Sequence, residues 1–215
     1  MIRVHIFCEG QTEDTFVREV LRPHFDRLNI FVNPIILRTS KEGKGGVVSY
    51  GKVKHQVVQK CKQDSTAFVT TLIDYYALPA DFPDFAKTAD SIANVKAASA
   101  AIQADIGQAN FIANLAAHEF EGLLFSAPEA FGEWFDDEDV VTELTKIRGQ
   151  FATPEHINDG PQTVPSKRIL KVCEDYDKVA HGSLIGLDIG LDAIRRECPL
   201  FNAWVEQLEA LGVAA

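Results

Sequence analysis

No apolar run in this chain approaches the ~18–20 residues needed to span a bilayer, so a membrane-embedded role is not expected. Its first residues lack the basic segment, apolar stretch and small-residue cleavage site of a secretory leader. Cysteine is scarce: Cys8, Cys61, Cys173 and Cys198 form no C-x-x-C pair, which argues against a zinc knuckle or a thioredoxin-like dithiol. Free thiols in a reducing cytoplasm are the expectation. Basic residues are in deficit, 21 against 31 acids, and the net charge of −10 argues against a surface coated for nucleic acid. Missing as well are the G-x-x-x-x-G-K-[ST], G-x-S-x-G and H-E-x-x-H signatures. The chain therefore carries no nucleotide-hydrolysis loop, nucleophile elbow or zincin helix of its own.

What is present is an ordinary globular composition, 46% apolar and 24% charged over 215 residues. That length suits one large domain, or one with a helical extension. Charge is distributed unevenly. Arg38, Lys41, Lys44, Lys52, Lys54, Lys60 and Lys62 crowd one stretch, whereas residues 129–143 are strongly acidic. A basic groove on an acidic protein would read this way, and so would two solvated helix faces.

Hydrophobic periodicity divides the chain near residue 125. Before it, four extended runs (Ile2–Cys8, Ile30–Leu37, Ala67–Ile73 and Asn110–Ala116) alternate with helical patterns. Phe16, Val17, Val20, Leu21 and Leu28 mark the first helix, with Thr12 as its expected N-cap and Pro23 kinking or dividing it. Ser49 is expected to cap a second helix to about Gln63. A third should run from Thr88 to Ile106 with Ile92, Val95, Ser99, Ile102 and Ile106 inward. This alternation predicts an α/β domain, residues 1–125, with a parallel four-stranded sheet flanked by helices. Residues 126–215 carry no strand signal and predict a helical C-terminal half packed on it, within the same domain or as a second one. Leu200, Phe201, Trp204, Val205, Leu208 and Leu211 form its clearest apolar stripe.

The candidate chemistry lies where strands end. Glu9-Gly10 closes the first strand and Asp74 the third, and ligands of open α/β sheets bind at the carboxyl ends of strands. Two strand-end acids in one sheet suggest divalent metal chemistry. A helix opening near Gly10 and Thr12 would also point N–H groups at a phosphate. Alternatively Glu9 favours the helix start, and Asp74 is a solvated loop residue. Glu119 and Glu121 share one face if residues 118–121 stay extended, but diverge by about 200° if they are helical. His118 fits a supporting or core position better than a ligand position. Tyr75 and Tyr76 would stack on a base or shield the sheet edge. Pro165-Ser166-Lys167-Arg168 opens a helix whose first turn could hold phosphate, or simply face water.

The order of these features resembles the Toprim fold of topoisomerases, primases and overcoming-lysogenization-defect nucleases, whose strand-end acids bind Mg²⁺ and act on phosphodiesters. The chain is more closely similar to an uncharacterised bacterial Toprim-like family, domain of unknown function 4276. The segments that carry this are Glu9-Gly10-Gln11-Thr12-Glu13, Asp74 to Pro79, His118 to Phe125, Pro165 to Ile169, and Ile194 to Phe201 followed by Trp204. Tyr76 departs from the D-x-D that Toprim enzymes carry on the third strand, and Glu119 or Glu121 would have to replace the missing acid. The resemblance implies Mg²⁺- or Mn²⁺-dependent nucleic-acid cleavage. In it Glu9, Asp74, Glu119 and Glu121 are catalytic, with Glu9, Asp74 and Glu121 as metal ligands. Gly10, Thr12, Lys167, Arg168 and Lys44 would meet phosphates. It also implies a separate SMC-like or ABC-like ATPase partner in a phage-defence or toxin-like setting. The competing expectation is a non-catalytic protein whose acids and Ser166-Lys167-Arg168 dock a phosphate or a partner.

Overall fold

A computed structural model describes residues 1–38, 49–76, 78–85, 88, 90–157 and 162–213. Among them, β1 (Ile2–Cys8) leads into α1 (Gln11–Phe16), a π turn (Val17–Leu21) and α2 (Arg22–Asp26). β2 (Ile30–Ile36), α3 (Tyr50–Gln63), β3 (Phe68–Leu72), α4 (Ser91–Ile106) and β4 (Phe111–Ile112) follow. The four strands form one parallel sheet in the order β2-β1-β3-β4. The rest is helical: α5 (Glu121–Leu124), a 3₁₀ turn (Pro128–Glu133), α6 (Glu138–Arg148), a 3₁₀ turn (Pro154–His156) and α7 (Pro165–Val172). A π turn (Lys178–Gly182), α8 (Ser183–Ile189), α9 (Leu191–Glu197) and α10 (Pro199–Val213) complete it.

Side-chain alternation along the strands builds two cores. Val4, Ile6 and Cys8 of β1 face a cluster holding Phe16, Val17 and Val20 with α8, α9 and α10. Phe7, Val69 and Ile73 face the opposite cluster, which contains Val53 and Val57 of α3 and Val95, Ala98 and Ile102 of α4. The connection leaving β1 thus covers one face of the sheet, and the next two cover the other. The winding direction reverses between β1 and β3, the switch point at which such sheets open a crevice.

Several expectations change in detail. The first helix is capped by Gly10 at an extended φ of −148°, and Thr12 lies inside its first turn. Pro23 leaves the helical path continuous. Its missing N–H and its ring are accommodated by the π turn that immediately precedes α2. Leu28, expected inside, is 41% exposed. The third helix starts at Ser91 under an Asp90 cap, and Ala98 takes the buried place expected for Ser99. The fourth strand is shorter than Asn110–Ala116 because side chains interrupt its ladder. Gln103 accepts from Ala113 N–H, and Asn114 exchanges bonds with Thr71. Pairing then resumes as a bridge between Asp74 and Ala116. Lys41, Gly43, Lys44, Gly45 and Gly46 lie outside the described residues.

The last helix is tethered to the sheet by Trp204, whose Nε1 donates to Thr70 Oγ1 at 3.0 Å with both side chains buried. Thr70→Val would leave that indole N–H without its acceptor. A loss of about 1–2 kcal/mol in unfolding free energy is expected, read from urea midpoints at unchanged slope.

Candidate functional site

The E-G-Q-T-E segment turns from strand to helix within two residues. Glu9 ends β1, Gly10 caps α1, and the Glu13 carboxylate accepts from Gly10 N–H at 2.8 Å. Glu9 precedes the helix and its extended cap, yet it lies close enough to Glu13 for the two charges to interact. At the neighbouring strand end, Asp74 N–H donates to Glu9 Oε2 at 3.4 Å, joining the β1 and β3 termini across the switch point. Backbone bonds from Tyr75 to Ala116 and from Tyr76 to His118 keep the third terminus alongside.

The chain becomes helical right after that contact, and the two neighbouring acids separate. Glu121, fully buried, turns inward, whereas Glu119 accepts from Ser166 N–H at 3.0 Å and so braces the start of α7. Residues 118–120 are neither strand nor helix, so neither expected geometry applies as stated, and the two carboxylates take different partners. His118 is buried beside these acids, and Tyr75 packs against Phe85 in the core.

Lys178 joins the acids to the helical half. Its Nζ lies 3.2 Å from Glu121 Oε2, 3.7 Å from Asp74 Oδ2 and 3.7 Å from Glu13 Oε1. Thr12 Oγ1 donates to the Lys178 carbonyl at 3.5 Å, fixing the lysine backbone against α1. Gly182, at the end of the same π turn, permits the close approach. A Cβ there would stand 3.0 Å from the Tyr176 hydroxyl and 3.2 Å from the Thr12 methyl.

Charge in this cluster is not balanced. Glu9, Glu13, Asp74 and Glu121 confront the single Lys178 ammonium. Burial raises the Asp74 pKa well above the ordinary range; Lys178 opposes the rise, and Glu13, Glu9 and Glu121 add to it. Glu121 rises mainly through burial, against the pull of Lys178. Glu9 rises through burial and the neighbouring Glu13. For Lys178, burial disfavours the ammonium, but Asp74, Glu121 and Glu13 outweigh it and raise its pKa. Glu13 Oε1, both Glu121 carboxylate oxygens and the Tyr176 hydroxyl are buried without a hydrogen bond. Burial followed by Glu121 raises the Tyr176 pKa.

Of the residues expected from sequence, Glu9, Asp74 and Glu121 meet, and Gly10 and Thr12 flank them. Glu119 is near enough for its charge to act on Glu9 and Glu121. The N–H groups proposed for phosphate are already engaged at two points, Gly10 with Glu13 and Ser166 with Glu119. Lys167 is exposed with Nζ 3.5 Å from Gln162 Oε1. The Arg168 guanidinium donates to the Thr163 carbonyl at 2.6 Å and lies 5.0 Å from the centre of the Phe151 ring. Sequence reasoning missed Glu13 and Lys178. The glutamate three residues after the Gly10 cap is a capping-box signal that could have revealed the first, whereas no motif surrounds the second.

The family model described as Domain of unknown function (DUF4276) matches residues 8–209. The chain belongs to that family. Comparison with curated proteins and with solved structures gives no match. The matched range includes each residue of the acid–lysine cluster, so the cluster lies within the DUF4276 domain itself. Among the described residues no helix is long and apolar enough to cross a membrane.

The raised carboxyl pKa values fix a sign. A carboxyl group whose folded pKa exceeds its unfolded value of roughly 4 gives full stability below that value and loses it as pH rises through the folded one. Lys178 stays charged across the same range and adds no slope. With chelator present, melting temperature should therefore fall as pH rises above the ordinary carboxyl range. Asp74→Asn should flatten that fall and be more stable than wild type at its alkaline end, a comparison made by calorimetry across the pH series.

Proposed function

We propose that this protein is a Mg²⁺- or Mn²⁺-dependent phosphodiesterase of Toprim-like type acting on nucleic acid. The observation that carries the reading is the convergence of Glu13, Asp74 and Glu121 on one lysine, with Glu9 alongside through the Asp74 N–H and with Glu13 Oε1 and Glu121 Oε1 buried without a hydrogen bond. Strand-end acids at a switch point are the placement expected of a catalytic site in such a sheet. A shared lysine leaves most of their charge uncompensated, and buried anions of this kind require a counter-charge.

The donors fit a hard divalent cation, since all four are carboxylates. Among the described residues no three His, Cys, Asp or Glu side chains stand in ready-made ligand geometry. Asp74, Glu121 and Glu13 are the residues that would hold the cation, with Glu9 at its margin. When bound, a divalent cation would polarise a phosphoryl oxygen and favour ionisation of an attacking water. Glu9 is the general base of this reading. Half-buried and raised in pKa by burial and by Glu13, it would take the water proton as oxygen bonds to phosphorus and the leaving P–O bond breaks. Lys167 stands exposed at the opening of α7, where it would meet substrate phosphates. Glu119 acts as a positioning residue through α7.

Tyr76 in place of a second strand acid favours the competing reading, a non-catalytic phosphate- or partner-binding protein. Both belong in a cytoplasmic bacterial setting of phage defence, beside an SMC-like or ABC-like ATPase that would supply the nucleotide hydrolysis this chain lacks. Titration with Mn²⁺ should give one saturable site that Asp74→Ala abolishes. Cleavage of plasmid, single-stranded DNA or tRNA should require Mn²⁺ or Mg²⁺ and fall at least ~100-fold in Asp74→Ala and Glu121→Gln. Metal binding without cleavage of any of the three, with the ATPase present, would leave the binding role in place of the enzyme.

A further inference from the structure

The Lys178 ammonium is a poor fit to the space it shares. At 3.2 Å it comes within hydrogen-bonding distance of Glu121 Oε2 but out of line with it, and at 3.7 Å it falls short of Asp74 and Glu13, so that Glu13 Oε1 and Glu121 Oε1 are left without a hydrogen bond. The Tyr176 hydroxyl, also buried, adds another polar atom with no hydrogen-bond partner. The same lysine has a way out. Its side chain is 39% exposed, while its backbone is anchored by Thr12 and by the π turn, which Asp177 caps through Ala180 N–H. The head group can therefore leave without the chain moving.

On the reading that the carboxylates take a divalent cation, we propose that Lys178 is the resident counter-ion of the site and that the cation binds by displacing it. Ammonium and metal are mutually exclusive occupants. Mg²⁺ draws its oxygen ligands to about 2.0–2.1 Å, far inside the present separations from Nζ, so Glu13, Asp74 and Glu121 must close on the centre that serves all three. A second cation at that centre would meet strong repulsion. Lysine thereby lowers the apparent affinity for metal by the fraction of molecules in which it has withdrawn. The linkage is reciprocal: an anion that draws Lys178 outward, such as a phosphate of bound nucleic acid, promotes loading. An unloaded protein keeps one counter-charge at the site, and loading is biased toward molecules that already hold a polyanion.

Calorimetric titration of the full chain with Mn²⁺ tests this, using wild type, Lys178→Met and Lys178→Arg. Lys178→Met should bind Mn²⁺ about tenfold or more tighter than wild type, whereas Lys178→Arg, which keeps the charge, should not gain. Wild-type binding with equal or weaker affinity in Lys178→Met overturns the displacement and leaves the metal site standing. Absence of binding in both removes the metal reading and this inference together. Because Lys178→Met leaves several buried carboxylates unpaired and could fail to fold, wild type supplies an independent readout. Acylation of Lys178 by an N-hydroxysuccinimide ester, followed by peptide mass spectrometry, should run severalfold faster at saturating Mn²⁺. An unchanged or slower rate overturns displacement.

Discussion

A single ammonium shared by three buried carboxylates is the constraint around which this molecule is arranged. The three come from the first turn of α1, the end of β3 and the start of α5, with Glu9 beside them at the end of β1, whereas the lysine comes from further along the helical half. Burying the acids without a counter-charge would be costly, so the helical half must bring Lys178 over the crevice. Two small features make that approach possible. Gly182 leaves room for Tyr176 and Thr12, and the Thr12 hydroxyl holds the Lys178 carbonyl. Polar detail in Q-T-E and a distant glycine thus serve one contact.

The sheet supplies the frame on which the acids converge. With β1 and β3 adjacent and the crossovers leaving on opposite faces, both strand ends open into the same crevice. The interruption of β4 contributes as well. Thr71 and Asn114 exchange side-chain bonds where the ladder would otherwise continue, and the pairing regained at Asp74 and Ala116 brings the third terminus back into line. From there the turn into α5 sends Glu121 inward and leaves Glu119 to brace α7.

Much of this fold was legible in the sequence because its signals are local and strong. The apolar runs Ile2–Cys8 and Phe68–Leu72, the Ser49 cap and the apolar stripe of α10 each specify an element with little tertiary help. The misassignments fall where tertiary context overrides local preference. Glu13 completes a cap on Gly10 and so leaves Thr12 free for Lys178, while Pro23, expected to kink or divide the helix, sits just after a π turn that separates α1 from α2. Within the candidate site, strand-end acids could be read because strand ends can be. Lys178 could not, since nothing in Tyr176-Asp177-Lys178 distinguishes it from a surface lysine until the chain has folded. Arg168 illustrates the converse. Its first-turn position suggests an anion contact, yet its guanidinium is engaged with Thr163 and Phe151.

The wide separation of Lys178 from its partners along the chain orders events during synthesis. On a ribosome, the segments carrying Glu9, Glu13, Asp74 and Glu121 emerge well before the lysine that pairs with this cluster. Until the π turn at Lys178–Gly182 has been made, those carboxyl groups cannot be buried together with their ammonium, so the crevice can be completed only after most of the chain is present.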